Sequence, residues 1–115
     1  MTGMERLEKQ LVEALRRHLA DGGRAQLPEA GRLLWRAFVE LDATRTMHAH
    51  GPNPIPYSEI EGWARINGYP LQPHHVGVLK AMDAAMIEHF HNSQGGDERR
   101  AVGNMSPKMF DALLG

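Results

Sequence analysis

The sequence predicts an all-α protein, a compact bundle of three long helices and one short helix, with a flexible C-terminal tail ending in a short helical segment. Apolar residues recur at helical spacing in four stretches, and Pro and Gly separate these stretches. No stretch alternates apolar and polar residues over the length of a strand. We therefore expect a helical domain over residues 1–92 and a flexible linker with a short docking segment over residues 93–115.

The first helix is predicted over residues 4–20. Four leucines lie four residues apart and form one apolar stripe: Leu7, Leu11, Leu15 and Leu19. Acidic residues early and basic residues late in the segment suit the helix dipole. The pair Gly22-Gly23 ends the helix.

The second helix should begin near Pro28, because proline at a first helical position loses no hydrogen bond. We expect it to continue to about Met47. Its apolar stripe carries Leu34, Phe38 and Leu41, with Trp35 beside them and Arg45 on the same stripe. Residues 48–56 contain three Pro and one Gly, which predicts a semi-extended loop.

A short helix and a third long helix should follow the loop. The S-x-x-E pattern from Ser58 to Glu61 predicts a capping box at the start of the short helix, which carries Trp63. Gly68 is the expected left-handed residue at its end. The third long helix should run from Pro73 to near Asn92, with an apolar stripe of Val76, Leu79, Met82, Met86 and Phe90.

We expect one core cluster made of Leu34, Phe38, Leu41, Leu79, Met86 and Phe90, joined by Trp63. Two charged residues, Arg45 and Asp83, fall on the apolar stripes of their helices. A lone buried charge costs several kcal/mol, so each needs a partner. We expect the two to pair with each other, or Asp83 to accept a hydrogen bond from the indole of Trp35 or Trp63.

The C-terminal tail combines a polar linker with an apolar end. Residues 92–105 contain three Gly, which indicates flexibility, and residues 106–114 begin with Ser-Pro and favour one short helix. This end carries the candidate partner-binding residues, which are Met105, Met109, Phe110, Leu113 and Leu114. So short a helix is unstable alone in water. The surface that receives it is this domain, a second copy or another protein.

The composition argues against several classes of function. The chain of 115 residues has 13 Lys and Arg against 14 Asp and Glu, and it has no Cys. A net charge of −1 creates no general attraction to nucleic acid, and thiolate chemistry is excluded. No apolar run approaches the roughly 20 residues that a membrane helix needs. The absence of H-E-x-x-H, G-x-S-x-G and phosphate-binding glycine patterns predicts no enzyme, cofactor or metal site.

Residues 58–86 have the helix–turn–helix order of some DNA-binding proteins. Between Glu59 and Phe90, however, the only strong cations are Arg65 and Lys80. Two packed helices without a nucleic-acid role explain this segment better than a small DNA-binding regulator does.

Several motifs, taken in order, resemble one family. They are LWRAFVEL at residues 34–41, Arg45, PIPYSEI at residues 54–60, Gly68 and the pair Met82-Asp83. The arrangement over about residues 28–90 resembles the small tail assembly chaperones of long-tailed bacteriophages and prophages. The first helix and the tail lie outside this resemblance.

The resemblance implies a role without a reaction. Proteins of this kind bind the helical tape measure protein, help to recruit tail tube subunits in the bacterial cytoplasm, and are absent from the finished virion. Many exist also in a longer, frameshifted form. Met82, Met86, Met105 and Met109 could offer an adaptable groove to such partners, although Met82 and Met86 also fit a core. The alternatives are a DNA-binding regulator and a structural virion component such as a head–tail connector.

Overall fold

The fold is mostly helical, as predicted, with one small hairpin. The computed structural model describes residues 3–24 and 26–101, with side chains described through residue 93. The helices are α1 (Gly3–Asp21), α2 (Arg32–Asp42), α3 (Tyr57–Asn67) and α4 (Pro73–Ala101). A single 3₁₀ turn, Glu29–Gly31, precedes α2, and two short strands, β1 (Met47–His48) and β2 (Gly51–Pro52), pair antiparallel.

Helix α1 confirms the predicted leucine stripe. Its four leucines are all buried, and α1 packs mainly against α4. Gly22 ends the helix in the left-handed conformation, with φ at +70°, and its N–H donates to the carbonyl of His18. The 3₁₀ turn lies close to α1, because a Cβ on Gly31 would stand 2.7 Å from Cδ2 of Leu11.

Helix α2 is shorter than the sequence predicts, ending at Asp42 rather than near Met47. The hydroxyl of Thr44 donates to the carbonyl of Leu41, and the N–H of Arg45 donates to the carbonyl of Asp42. Both contacts close the chain into a turn instead of another helical turn. Arg45 therefore follows the helix, although it still lies on the core side. Because α2 and α3 both have 11 residues, the prediction of three long helices and one short one is wrong.

The loop after α2 contains the β1–β2 pair, which no sequence pattern predicted. His48 pairs with Gly51, and Met47 pairs with Pro52. Gly51 has φ at +139°, and a Cβ there would stand 2.8 Å from Cε1 of Phe90. Two residues per strand are too few for a period of two to be visible in the sequence.

Helix α3 begins one residue before the predicted capping box. Pro56 occupies the N-cap with an extended backbone, and no side chain caps the helix, so the capping role of Ser58 is wrong. The carbonyl of Pro56 accepts the N–H groups of Glu59 and Ile60. Gly68 ends α3 at φ +71°, which confirms the predicted left-handed cap.

Helix α4 continues to Ala101, so the helix end predicted near Asn92 is wrong. Two glycines in a helix, Gly95 and Gly96, cost about 1 kcal/mol each relative to alanine, and the charged residues after them favour helix. The predicted docking segment, with Met105, Met109, Phe110, Leu113 and Leu114, lies outside the described residues.

The core cluster largely matches the prediction. Six of the seven expected residues meet in it: Leu34, Phe38, Leu41, Trp63, Leu79 and Met86. The half-buried Trp35 packs against this cluster and meets the ring of His18 edge-on, with centroids 6.2 Å apart. The seventh residue, Phe90, is buried but lies over Gly51, outside the main cluster. Its predicted place in the cluster is wrong because the β1–β2 loop covers it.

Candidate partner-binding surface

A buried ionic cluster joins the C-terminal end of α2 to the middle of α4. Nε of Arg45 donates to Oδ1 of Asp42 at 2.7 Å, and Nη2 of Arg45 lies 2.6 Å from Oδ1 of Asp83. The three side chains are at most 3% exposed. The predicted pairing of Arg45 with Asp83 is confirmed.

The alternative, an indole donating to Asp83, is wrong for Trp63. Its Nε1 donates instead to Oε1 of Glu40, at 2.8 Å. This hydrogen bond, together with one from Arg36, lowers the pKa of the Glu40 carboxyl. The hydrogen bond to Glu40 joins α3 to α2, and the Trp63 ring also stacks on Tyr69, just after α3, with centroids 5.6 Å apart.

The charged cluster holds the loop as well as the helices. Nη1 of Arg45 donates to the carbonyl of Asn53 at 2.7 Å, and Oδ2 of Asp83 accepts the N–H of Ile55 at 2.9 Å. Nζ of Lys80 donates to the carbonyl of Ile55 at 2.7 Å. We call Asp42, Arg45, Lys80 and Asp83 the loop clasp. Because it engages the backbone on both sides of Ile55, it fixes the conformation of the loop.

The loop clasp determines which side chains of the loop face solvent. Ile55 is buried in the core, whereas Pro54, Pro56 and Tyr57 are exposed. The ammonium of Lys80 stands 4.6 Å from the centroid of the Tyr57 ring and supports it by a cation–π contact. We call Pro54, Pro56 and Tyr57 the loop ledge. It is a fixed apolar surface on a small domain.

A groove runs beside the loop ledge along α4. It has a volume of about 380 Å³, its surface is almost entirely apolar, and it is lined by Pro54, Lys80, Asp83, Ala84, Ile87 and Glu88. The exposed Ala84 leaves room for an approaching side chain. We call this the α4 groove. Together with the loop ledge, it resembles the shallow apolar surfaces on which amphipathic helices dock.

A second, wider groove of about 1150 Å³ lies between α1, residues 23–28 and α4. Charged residues of both signs line it, including Glu8, Lys9, Arg16 and Arg24. Arg16 reaches across to Glu88, with 3.5 Å between Nη2 and Oε1. Polar and apolar atoms share the surface of this groove about equally, whereas the surface of the α4 groove is almost entirely apolar.

The predicted methionine groove does not form from the described residues, because Met82 and Met86 are buried in the core. The exposed large apolar side chains lie elsewhere. Among the described side chains they are, besides Tyr57, Val39, Met47 and Ile66, with exposed fractions of 40%, 51% and 85%.

Lys80 and Tyr57 are parts of this surface that the sequence patterns did not predict. Lys80 precedes Asp83 by one helical turn, and this spacing was the available signal for a shared site. No sequence pattern shows that its ammonium reaches a backbone carbonyl 25 residues away.

The geometry disfavours DNA binding through α3 and α4. Of the two strong cations between Glu59 and Phe90, Arg65 pairs with Glu61 at 3.0 Å and Lys80 donates to the loop backbone. At the start of α4, Nδ1 of His75 accepts the N–H of Gln72, and burial with the neighbouring His74 lowers the pKa of His75. The lowered pKa makes His75 a poor cation for contacting a phosphate backbone.

Among the side chains of residues 3–24 and 26–93, no group of three or more acidic or histidine residues is placed to hold a metal ion. Over the same residues, no helix is long and apolar enough to cross a membrane.

The comparison with known families gives a match over most of the fold. The model of a phage tail assembly chaperone family matches residues 7–88. The match includes α1, which the motif resemblance left out, and it contains the whole loop clasp. No curated protein and no solved structure matches the chain. A family match over more than half of the chain, on a helical fold whose motif residues build one surface, shows that this protein belongs to the phage tail assembly chaperone family.

Proposed function

We propose that this chain binds the phage tape measure protein and helps to recruit tail tube subunits while the tail is assembled. It acts in the cytoplasm of the bacterial host and is absent from the mature virion. The family match over residues 7–88 is the observation that carries this proposal. A chaperone family, rather than an enzyme family, also agrees with a role that needs no catalytic residues.

The loop ledge and the α4 groove are the proposed site for the tape measure protein. An amphipathic helix presents apolar side chains every three or four residues, and a shallow apolar groove can receive such a stripe. Tyr57 and Ala84 provide the exposed apolar contacts, and Lys80 and Glu88 provide charges at the rim. The loop clasp keeps this surface preformed, which lowers the entropic cost of binding.

The tail residues are a second proposed contact. A short helix would place five apolar residues on one side: Met105, Met109, Phe110, Leu113 and Leu114. These side chains need an apolar surface that shields them from water and stabilises so short a helix. Tail tube subunits, the tape measure protein and another copy of this chain are the candidates for that surface.

The test is coexpression of this chain with segments of the phage tape measure protein, followed by purification through a tag on this chain. We expect a soluble complex, and we expect Ala84→Arg to weaken it at least about tenfold, equivalent to about 1.4 kcal/mol. Arginine would fill the α4 groove, while the exposed position and the nearby Glu88 leave the fold intact. The matched control is Ala20→Arg, on the exposed side of α1, which should bind as the parent does.

Two results would overturn the proposal. The first is a tape measure protein that stays equally insoluble with and without this chain. The second is recovery of this chain in stoichiometric amounts from purified particles, which would favour a role as a head–tail connector or another structural component. Equal loss of binding by Ala84→Arg and Ala20→Arg would remove the α4 groove as the site.

A further inference from the structure

We infer that Glu88 selects the partner helix of the α4 groove by its charge. The helix that docks there carries a lysine or an arginine at one end of its apolar stripe, and this cation pairs with the Glu88 carboxylate. The inference rests on the proposed function, because it concerns the same groove, and it goes further by naming the chemistry of the bound segment.

Three of the residues that line the α4 groove carry a charge, and the fold already engages two of these charges. The side chain of Asp83 is 3% exposed within the loop clasp, and the ammonium of Lys80 donates to the loop backbone. The side chain of Glu88, in contrast, is 61% exposed, and its 3.5 Å contact with the exposed Arg16 is of a kind that contributes little. Glu88 is therefore the charge of this groove that a partner can engage.

The surroundings of the Glu88 carboxylate suit a long cationic side chain. The exposed Ala84 precedes Glu88 by one helical turn, and the half-buried Ile87 lines the same groove. Lysine and arginine pack their aliphatic stems against such an apolar surface while the charged group stays at its rim. An acidic side chain at the same place would instead be repelled by Glu88.

The contact with Arg16 shows that a neighbouring helix can reach this carboxylate. Arg16 lies on α1, which packs against α4, and its Nη2 stands 3.5 Å from Oε1 of Glu88. A partner helix in the α4 groove packs against α4 at a similar distance of about 8–10 Å between axes. Because a carboxylate has two acceptor oxygens, Glu88 can engage the partner's cation beside Arg16.

The test measures the affinity of this chain for the tape measure segments that copurify with it, by titration calorimetry. Glu88→Lys should weaken the complex at least about tenfold, because it brings like charges together. Glu61→Lys, which breaks a comparable exposed pair with Arg65 on α3, is the control and should bind as the parent does. Arg16→Gln removes the internal ion pair but keeps the carboxylate, and it should bind at least as tightly as the parent. Circular dichroism melting checks that each variant keeps the fold.

A charge swap identifies the cation of the partner. Each lysine or arginine of the bound segment is replaced in turn with glutamate. One replacement should weaken binding to the parent at least about tenfold, and Glu88→Lys should restore most of that loss.

Three results would overturn the inference. The first is parent-like binding by Glu88→Lys when Ala84→Arg weakens the complex, which would leave the proposed groove in place. The second is equal loss of binding by Arg16→Gln and Glu88→Lys, which would assign the effect to the internal pair. The third is a segment in which no charge swap restores binding. If no tape measure segment copurifies with this chain, the proposed function is overturned, and the inference with it.

Discussion

Arg45 and Asp83 form a buried ion pair that joins the end of α2 to the middle of α4, with 2.6 Å between Nη2 and Oδ1. Desolvation makes such a pair expensive unless further contacts satisfy its remaining polar atoms. Here those contacts are Asp42 and the backbone of Asn53 and Ile55. The pair therefore selects one conformation of the Pro-Ile-Pro loop, and it explains why Arg45, the loop prolines and Asp83 occur together in one motif.

Asp83→Asn should destabilise the fold by about 3–5 kcal/mol, because the buried Arg45 then loses the negative charge of one of its two carboxylate partners. Denaturant unfolding followed by circular dichroism measures the change. Glu61→Gln is the matched control, since it breaks an exposed pair with Arg65 that is worth about 0–1 kcal/mol. Equal stability of the Asp83→Asn variant and the parent would show that this carboxylate is solvated.

Phe38→Ala should cost about 3–5 kcal/mol, because the ring is 1% exposed at the centre of the core and its loss leaves a cavity. That is a large part of a total stability of roughly 5–15 kcal/mol. Thermal melting of the Phe38→Ala variant measures this loss. The control is Ile66→Ala, which alters a side chain that is 85% exposed and should change stability by about 0.5 kcal/mol or less. A Phe38→Ala chain that melts with the parent would contradict the assigned core.

Gly51→Ala and Gly62→Ala should change stability in opposite directions. At Gly51 the backbone has φ at +139°, and the added methyl would stand 2.8 Å from Phe90, so the loop must shift and stability should fall. At Gly62, inside α3, the methyl meets no atom within 4 Å, and alanine should add about 0.5–1 kcal/mol. Urea midpoints of the two variants give the signs. An increase in stability from Gly51→Ala would show that Phe90 does not pack against this position.

Acid should weaken the start of α4 through His75. Its neutral Nδ1 accepts the N–H of Gln72, and burial with His74 lowers the pKa below the ordinary value of 6.5. The unfolded chain therefore binds the proton more readily. This contribution to stability is complete above pH 6.5 and is lost as the pH falls through the lowered folded pKa.

His75→Gln tests this, because glutamine keeps an acceptor for the Gln72 N–H without titrating. Unfolding free energies measured between pH 5 and pH 7.5 should fall less with acid in this variant than in the parent. His50→Gln, at an exposed loop position, is the control and should keep the parent's slope. Identical slopes for the parent and His75→Gln would remove His75 as the cause.

Local patterns predicted the helices well and their ends less well. The spacing of the leucines was enough to predict the buried stripe of α1. The ability of glycine to adopt positive φ was enough to predict the left-handed cap at Gly68. The end of α2 depended on a turn that Thr44 and Arg45 close, and the start of α3 depended on Pro56. Such boundaries depend on a few hydrogen bonds, each worth about 1 kcal/mol. The spacing of apolar residues therefore does not indicate where these helices begin or end.

For the candidate site, the sequence by itself determined the two charges that needed partners. Burying Arg45 or Asp83 alone is so unfavourable that their place on apolar stripes predicts a pair. Only the tertiary structure decided that the pair also grips the loop, that Lys80 supports Tyr57, and that the α4 groove opens beside them. These contacts join residues that lie far apart in the chain, and their geometry depends on how the helices pack around one core rather than on the order of residues within any one helix.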